Sequence, residues 1–164
     1  MNPTQAWRVP PYKSYVQAPL TDELLEEYEL GVRLPAAYVA LLRVQNGGVL
    51  QVGFPQNRNF NTTHTVIRGI GTKYPRLEKE AWWHDPQWGP PRPAEAAWLI
   101  PFDGDGHWDL CLDYRRSSTD TTVLRTDPGV VVIDTETLGS AIESFVAVSF
   151  DDYLAQLVPP EEEL

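Results

Sequence analysis

Between Leu34 and Gly48 the chain reads LPAAYVALLRVQNGG, and no other stretch narrows its folding choices as far. Pro35 stands at a helix start, where the N–H it lacks would go unpaired anyway and its fixed φ suits the first turn. Tyr38, Leu41, Leu42 and Gln45 follow at i, i+3, i+4 and i+7, a helical stripe that is apolar at three of its four places. Asn46, Gly47 and Gly48 then end the helix, because Asn and Gly accept the left-handed backbone that a C-cap asks for. Val49 to Val52 reads as a short strand. The sequence therefore predicts a buried helix turned sharply onto the edge of a sheet.

The rest of the chain supplies that sheet and its cover. Residues 1–19 form an arm containing several prolines, with Trp7, Tyr12 and Tyr15 as candidate anchors. Thr21 or Asp22 caps a first helix, whose positive N-terminal end suits Asp22 and Glu23. Leu20, Leu24, Leu25 and Tyr28 make its apolar face, Glu23, Glu26, Glu27 and Glu29 its solvated one, and Gly31 its end. With the helix that follows it forms a helical hairpin. Residues 53–62, GFPQNRNFNT, read as a loop, and His64 to Ile70 as a strand. Leu77 to Trp83 has some helical character, whereas the four prolines and the glycine of residues 84–93 forbid a helix.

Trp98 to Phe102, a turn over Asp103-Gly104-Asp105-Gly106, and Trp108 to Tyr114 read as a hairpin. On its second strand Trp108, Leu110, Leu112 and Tyr114 share one face, and Asp109, Cys111 and Asp113 the other. A second hairpin is expected from Thr121 to Arg125, a Thr126–Gly129 turn, and Val130 to Asp134. Ile142 to Val148 reads as a strand or as the approach to a helix. Ser149 caps a last helix with Asp152 three residues on, and Phe150, Tyr153, Leu154, Leu157 and Val158 are its buried stripe. Residues 159–164 are an acidic tail. The expected fold is α+β in a single domain: a mixed or antiparallel central sheet with an N-terminal helical hairpin and a C-terminal helix packed against it.

Composition excludes several functions. A chain of 164 residues with 42% apolar residues and six Trp builds one proper core. Its single cysteine, Cys111, forms no internal disulfide and suits a reducing, cytoplasmic compartment. No basic stretch followed by an apolar one opens the chain, which predicts no signal peptide. No apolar run approaches the ~20 residues of a membrane helix. The formal charge is −10 and unevenly spread. Residues 1–92 hold 10 Lys/Arg and 8 Asp/Glu, and residues 93–164 hold 3 and 15. Such a surface repels nucleic-acid phosphates and steers a basic protein towards the acidic half.

Motif searches yield little that is catalytic. Gly69-Ile70-Gly71 begins like a dinucleotide fingerprint but has Tyr74 where the last glycine belongs. No serine lies in a G-x-S-x-G frame, and neither a Walker A nor an H-E-x-x-H motif occurs. His64, His84 and His107 are scattered. Asp103, Asp105 and Asp109 with their glycines look like half a calcium loop, but position twelve is Tyr114 rather than Glu. With His107 they also suggest metal-assisted hydrolysis. Turn chemistry accounts for every residue of that loop except His107 and is the simpler reading. Trp82, Trp83 and Trp88 form a second candidate surface, because indoles concentrate at interface hot spots; the alternative is that they pin an irregular segment onto the body.

Taken together, the marks resemble the SUKH superfamily, also called the Smi/Knr-like domain, in its bacterial immunity-protein branch. The residues that carry the resemblance are Leu34, Pro35, Tyr38, Asn46, Gly47 and Gly48, then Ile100-Pro101, Gly104, Asp105, Gly106, Leu112, Asp113 and Tyr114, then Ser149-Phe150, Tyr153-Leu154 and Leu157. They run through a domain spanning residues 20–158. The resemblance implies an α+β fold and a non-enzymatic module; no metal or cofactor is expected, and the chain is expected to be a monomer or homodimer. Bacterial members are similar to immunity proteins that neutralise a toxin, often a nuclease, delivered between competing cells; fungal relatives regulate cell-wall synthesis. On that reading Asp103, Asp105, His107 and Asp109, together with Trp82, Trp83 and Trp88, would contact a basic toxin domain. The two alternatives are a metal-dependent hydrolase or calcium-binding domain on the Asp103–Asp109 loop, and a regulatory or scaffold protein.

Overall fold

The protein is seen in a computed structural model that describes residues 1–8, 18–29, 31–54, 66–71, 76–77, 83, 92–104, 106–116, 124–136 and 141–159. Three α-helices, α1 (Asp22–Tyr28), α2 (Ala36–Val44) and α3 (Phe150–Gln156), accompany six strands. Strands β1 (Gly48–Val49) and β2 (Val66–Ile67) form a two-stranded antiparallel sheet. Strands β3 (Leu99–Gly104), β4 (Trp108–Asp113), β5 (Gly129–Asp134) and β6 (Ile142–Ala147) form a four-stranded one in the order β3-β4-β5-β6. Every pairing is antiparallel, which resolves the expected mixed or antiparallel sheet in favour of the second.

The helices begin where local chemistry places them. The Thr21 side chain accepts the N–H of Leu24 (3.3 Å), and the Ser149 hydroxyl accepts the N–H of Asp152 (3.1 Å). Pro35 is the N-cap of α2, at φ −54°. Tyr38, Leu41 and Leu42 point from α2 into the core, as their spacing requires. Three ties hold the start of α1 to α2: the Leu20 N–H donates to the Leu42 carbonyl (2.9 Å), Arg43 donates to the Leu20 carbonyl (3.1 Å), and Arg43 pairs with Asp22.

At the end of α2 the sequence anticipates a cap, and the structure turns that cap into a clamp. Asn46 is buried, and its side-chain amide bonds both backbone groups of Ile70: Oδ1 accepts the N–H (2.8 Å) and Nδ2 donates to the carbonyl (2.6 Å). Gly47 has φ +95°, and a Cβ there would stand 2.6 Å from the backbone nitrogen of Gly69. Only glycine satisfies both the conformation and the close approach. The clamp sets β2 beside β1 and delivers the next residue, Arg68, to β3, whose Phe102 carbonyl accepts the Arg68 N–H (3.1 Å).

The strands β3, β4 and β5 of the large sheet are buried on both faces. One face carries Phe102, Leu110, Leu112, Tyr114, Val130 and Val132 against α2 and α3. Tyr38, Phe102, Phe150 and Tyr153 meet there at ring-centroid distances of 5.0 to 6.0 Å, mostly tilted or edge-on. The other face carries Leu99, Cys111, Val131 and Ile133, covered by Trp83. Double burial explains why β5 reads as a continuous apolar run from Val130 to Ile133 rather than as an alternation.

Two expectations change. Arg125 does not pair with β5; it runs parallel to Val32, its carbonyl accepting the Arg33 N–H (2.8 Å). Both edges of β5 are taken by β4 and β6, which leaves no place there for a hairpin partner. Ile142–Ala147 is a strand, which decides the open reading of that segment. Residues 1–8 are joined to the body: Ala6 is buried in the core, and Trp7 bridges Leu50. Tyr12, Tyr15, most of residues 55–65 and 78–91, and the acidic tail from residue 160 lie outside the described residues.

Replacing Asn46 with Ala leaves the Ile70 N–H and carbonyl buried without partners. The expected loss is about 2–3 kcal/mol of unfolding free energy, read by urea denaturation. A variant within 0.5 kcal/mol of wild type, on the ordinary scale for surface substitutions, would show that the clamp does not hold β2 beside β1.

Candidate functional site

The hairpin that drew attention in the sequence is built by β3 and β4, with Gly104 paired to Asp109 and a register shift between Pro101 and Asp103. Gly104 lies at φ +139°, where a Cβ would collide with the Trp108 carbonyl and the Asp109 carboxylate. The turn is shorter than the sequence suggests, because β3 continues through Gly104 and only residues 105–107 connect the strands. The Thr135 N–H ties that connection down by donating to the His107 carbonyl (2.8 Å).

Two of the carboxylates expected on the surface are inside. Asp103 is 5% and Asp109 2% exposed. Asp103 accepts the Val66 N–H through Oδ2 (3.2 Å) and the Gly104 N–H through Oδ1 (2.8 Å), so it fastens the start of β2 to the bend of β3. Asp109 lies 3.8 Å from the guanidinium of Arg68. Arg68 in turn donates to the Gly104 carbonyl (3.1 Å), while its own carbonyl accepts the Tyr38 hydroxyl (2.6 Å). Arg68 is the hub of this end of the molecule, and sequence reasoning missed it. Its one signal was a cation at the end of a β-type run, a residue that needs an acidic partner once it is covered.

The other candidates separate. His107 and Gly106 are exposed. Trp83 is fully buried against Leu99, Cys111, Val131 and Ile133, in agreement with the pinning role weighed for it. Asp105, Trp82 and Trp88 lie outside the described residues. A partner that docks on the surface as it stands therefore reaches His107 but not Asp103, Asp109 or Trp83. Of the residues that carried the resemblance, Leu34, Tyr38, Asn46, Asp113 and Tyr114 are buried structural members, and the Tyr114 hydroxyl donates to the Arg33 carbonyl (2.8 Å).

Two further cation sites surround the sheet. Arg115 forks between two carboxylates, holding Asp113 (2.8 Å) from its own strand end and Glu143 (2.8 Å) from β6. Burial pushes the Asp113 carboxyl up, but the Arg115 hydrogen bonds outweigh it and hold the group below its ordinary value. Arg125 lies 3.6 Å over the Trp98 ring and donates to the Tyr114 carbonyl (2.9 Å). Burial pushes the Cys111 thiol well above its ordinary value, with Asp109 adding to the shift, which favours the protonated form. Among the described residues no three His, Cys, Asp or Glu side chains are grouped so as to hold a metal ion. No helix among them is long and apolar enough to cross a membrane.

Comparison with known proteins gives one match. The model of the SMI1 / KNR4 family (SUKH-1) matches residues 19–156, well over half of the chain. Neither a curated protein nor a solved structure matches.

The Arg115 fork has a testable pH signature. The folded-state pKa of Asp113 lies below its unfolded value of about 3.9, so the stability this pair contributes is fully present above that value. It is lost as pH falls through the lower folded one. Arg115→Met should cost about 2 kcal/mol at pH 7 by leaving a buried carboxylate without its partner. It should also lose less further stability than wild type between about pH 4 and pH 2. Parallel acid-dependent urea curves for the two proteins would contradict the assignment.

Proposed function

Because the chain belongs to the SMI1 / KNR4 family (SUKH-1), we propose that it is a non-enzymatic protein-binding module, an immunity protein that neutralises a cognate toxin domain in bacterial competition. The family is generally one of non-catalytic immunity and binding domains, which supports this reading over a hydrolase. The observation that carries the electrostatic part lies in the last 39 residues. From Thr126 to Leu164 there are nine Asp or Glu residues and not one Lys or Arg. Asp127, Glu136, Glu143, Asp151 and Asp152 of that segment are exposed. A nuclease presents a basic cleft to its phosphate substrate, and a surface of this kind complements such a cleft.

The burial of Asp103 and Asp109 moves the proposed contact away from them. Exposed acids of the C-terminal segment, with His107 at the hairpin tip, take over that role, and Asp105, Trp82 and Trp88 stay in the proposed set. The functional body is proposed to be residues 20–158, acting in the cytoplasm as a monomer or homodimer, with neither metal nor cofactor.

The native partner, isolated by pull-down with the full chain and then expressed with and without it, supplies the test. Co-expression should restore growth, and the purified pair should bind with an affinity that weakens by about tenfold between 0.1 and 0.5 M NaCl. Binding that is indifferent to salt would remove the electrostatic argument, and unprotected growth would remove the immunity reading.

A further inference from the structure

Strand β6 is the last strand of its sheet among the described residues, and it is an unusual edge. Sheet edges that natural proteins leave open usually carry Lys, Pro or inward charges that discourage another strand from pairing. Strand β6 reads Ile-Glu-Ser-Phe-Val-Ala, with neither Lys nor Pro. Its one charge, Glu143, is already engaged by Arg115. Ile142 is 48% and Phe145 58% exposed, and Val148, just past the strand, 70%. By the period of two, Ile142 and Phe145 project from opposite faces of the strand, so apolar surface flanks the edge on both sides. Pairing with β5 shifts register at Val130/Val131, and beyond that point the Val146 carbonyl accepts the Gln156 amide (3.0 Å). The stretch from Ile142 to Phe145 keeps a regular register with β5.

We propose that β6 is the docking edge of this protein: an extended segment of a basic partner protein adds to the sheet along Ile142–Phe145, with its apolar side chains against Ile142 and Phe145. Such addition combines main-chain hydrogen bonds, which give affinity, with side-chain packing on both faces, which gives selectivity. Charge decides between occupants. The edge lies within the segment that holds nine carboxylates and no cation, so a basic strand is attracted to it. A second copy of this chain, at −10, would bring the same carboxylates against their own kind. This proposal rests on the immunity reading above and specifies the surface through which it works.

The experiment uses the full chain and the purified partner isolated by pull-down, with titration calorimetry as the readout. The double variant Ile142→Lys/Phe145→Lys is compared with Val44→Lys, which alters an exposed apolar residue on α2 instead. Both positions of the double variant are solvent-exposed, so thermal melting should match wild type. Affinity should fall by about 30-fold or more for the double variant and stay unchanged for Val44→Lys, as a hot spot at β6 requires. Hydrogen exchange of amides 142–145 should slow in the complex. Wild-type binding that the double variant retains would overturn the docking edge alone and leave the immunity reading standing. Absence of wild-type binding would overturn both. A free chain that sediments as a dimer, and as a monomer once Ile142 and Phe145 are changed, would assign the edge to a second copy and overturn the proposal as well.

Discussion

One buried side chain amide joins the parts of this molecule. Asn46, at the end of α2, satisfies both backbone groups of Ile70, and its neighbour Gly47 lets the two chain segments approach as closely as they do. Residues 48–49 and 66–67 can then pair, which brings Arg68 beside β3. From Arg68 the connections run to Tyr38, Gly104 and Asp109. A buried polar contact of this kind is favourable only while every member keeps its partner. The helix, the small sheet and the hairpin thus depend on one another through a few hydrogen bonds placed over an aromatic core.

That arrangement divides the acidic residues into two populations with different work. Asp103, Asp109 and Asp113 lie inside or nearly so, and each is met by backbone N–H groups or by arginine. Buried carboxylates hold structure only when compensated in that way, and none of the three is then available to an approaching protein. Exposed carboxylates lie elsewhere: Asp22, Glu23, Glu26 and Glu27 on α1, Glu95, and, with no Lys or Arg among them in sequence, Asp127, Glu136, Glu143, Asp151 and Asp152. The acidity visible in composition is therefore real as a surface property, but Asp103 and Asp109 of the hairpin do not contribute to it.

The exposed strand β6 gives this surface a direction. Acidic residues alone attract basic proteins without selecting among them, because screened charges act at a distance and with little geometric demand. An unguarded edge flanked by Ile142 and Phe145 adds geometry, since a strand must arrive in register and with apolar residues in the right places.

What the sequence determined by itself were the features set by local spacing and local backbone chemistry. The proline-to-glycine limits of α2, the Thr21 and Ser149 caps, the alternation of β4 and the α+β class all follow from contacts within a few residues, and the structure keeps them. The order of motifs along residues 20–158 was also enough to point to the family. Tertiary structure alone decided which polar residues are surface. Asp103 and Asp109 look like exposed turn residues because nothing nearby in sequence announces Arg68 and Val66, which reach them from more than 30 positions away. Phe145 sits in a segment that reads as a strand or the approach to a helix, and it is exposed where that strand falls at the edge of the sheet among the described residues. Burial is settled by which elements become neighbours, and that is a long-range outcome no window of sequence contains.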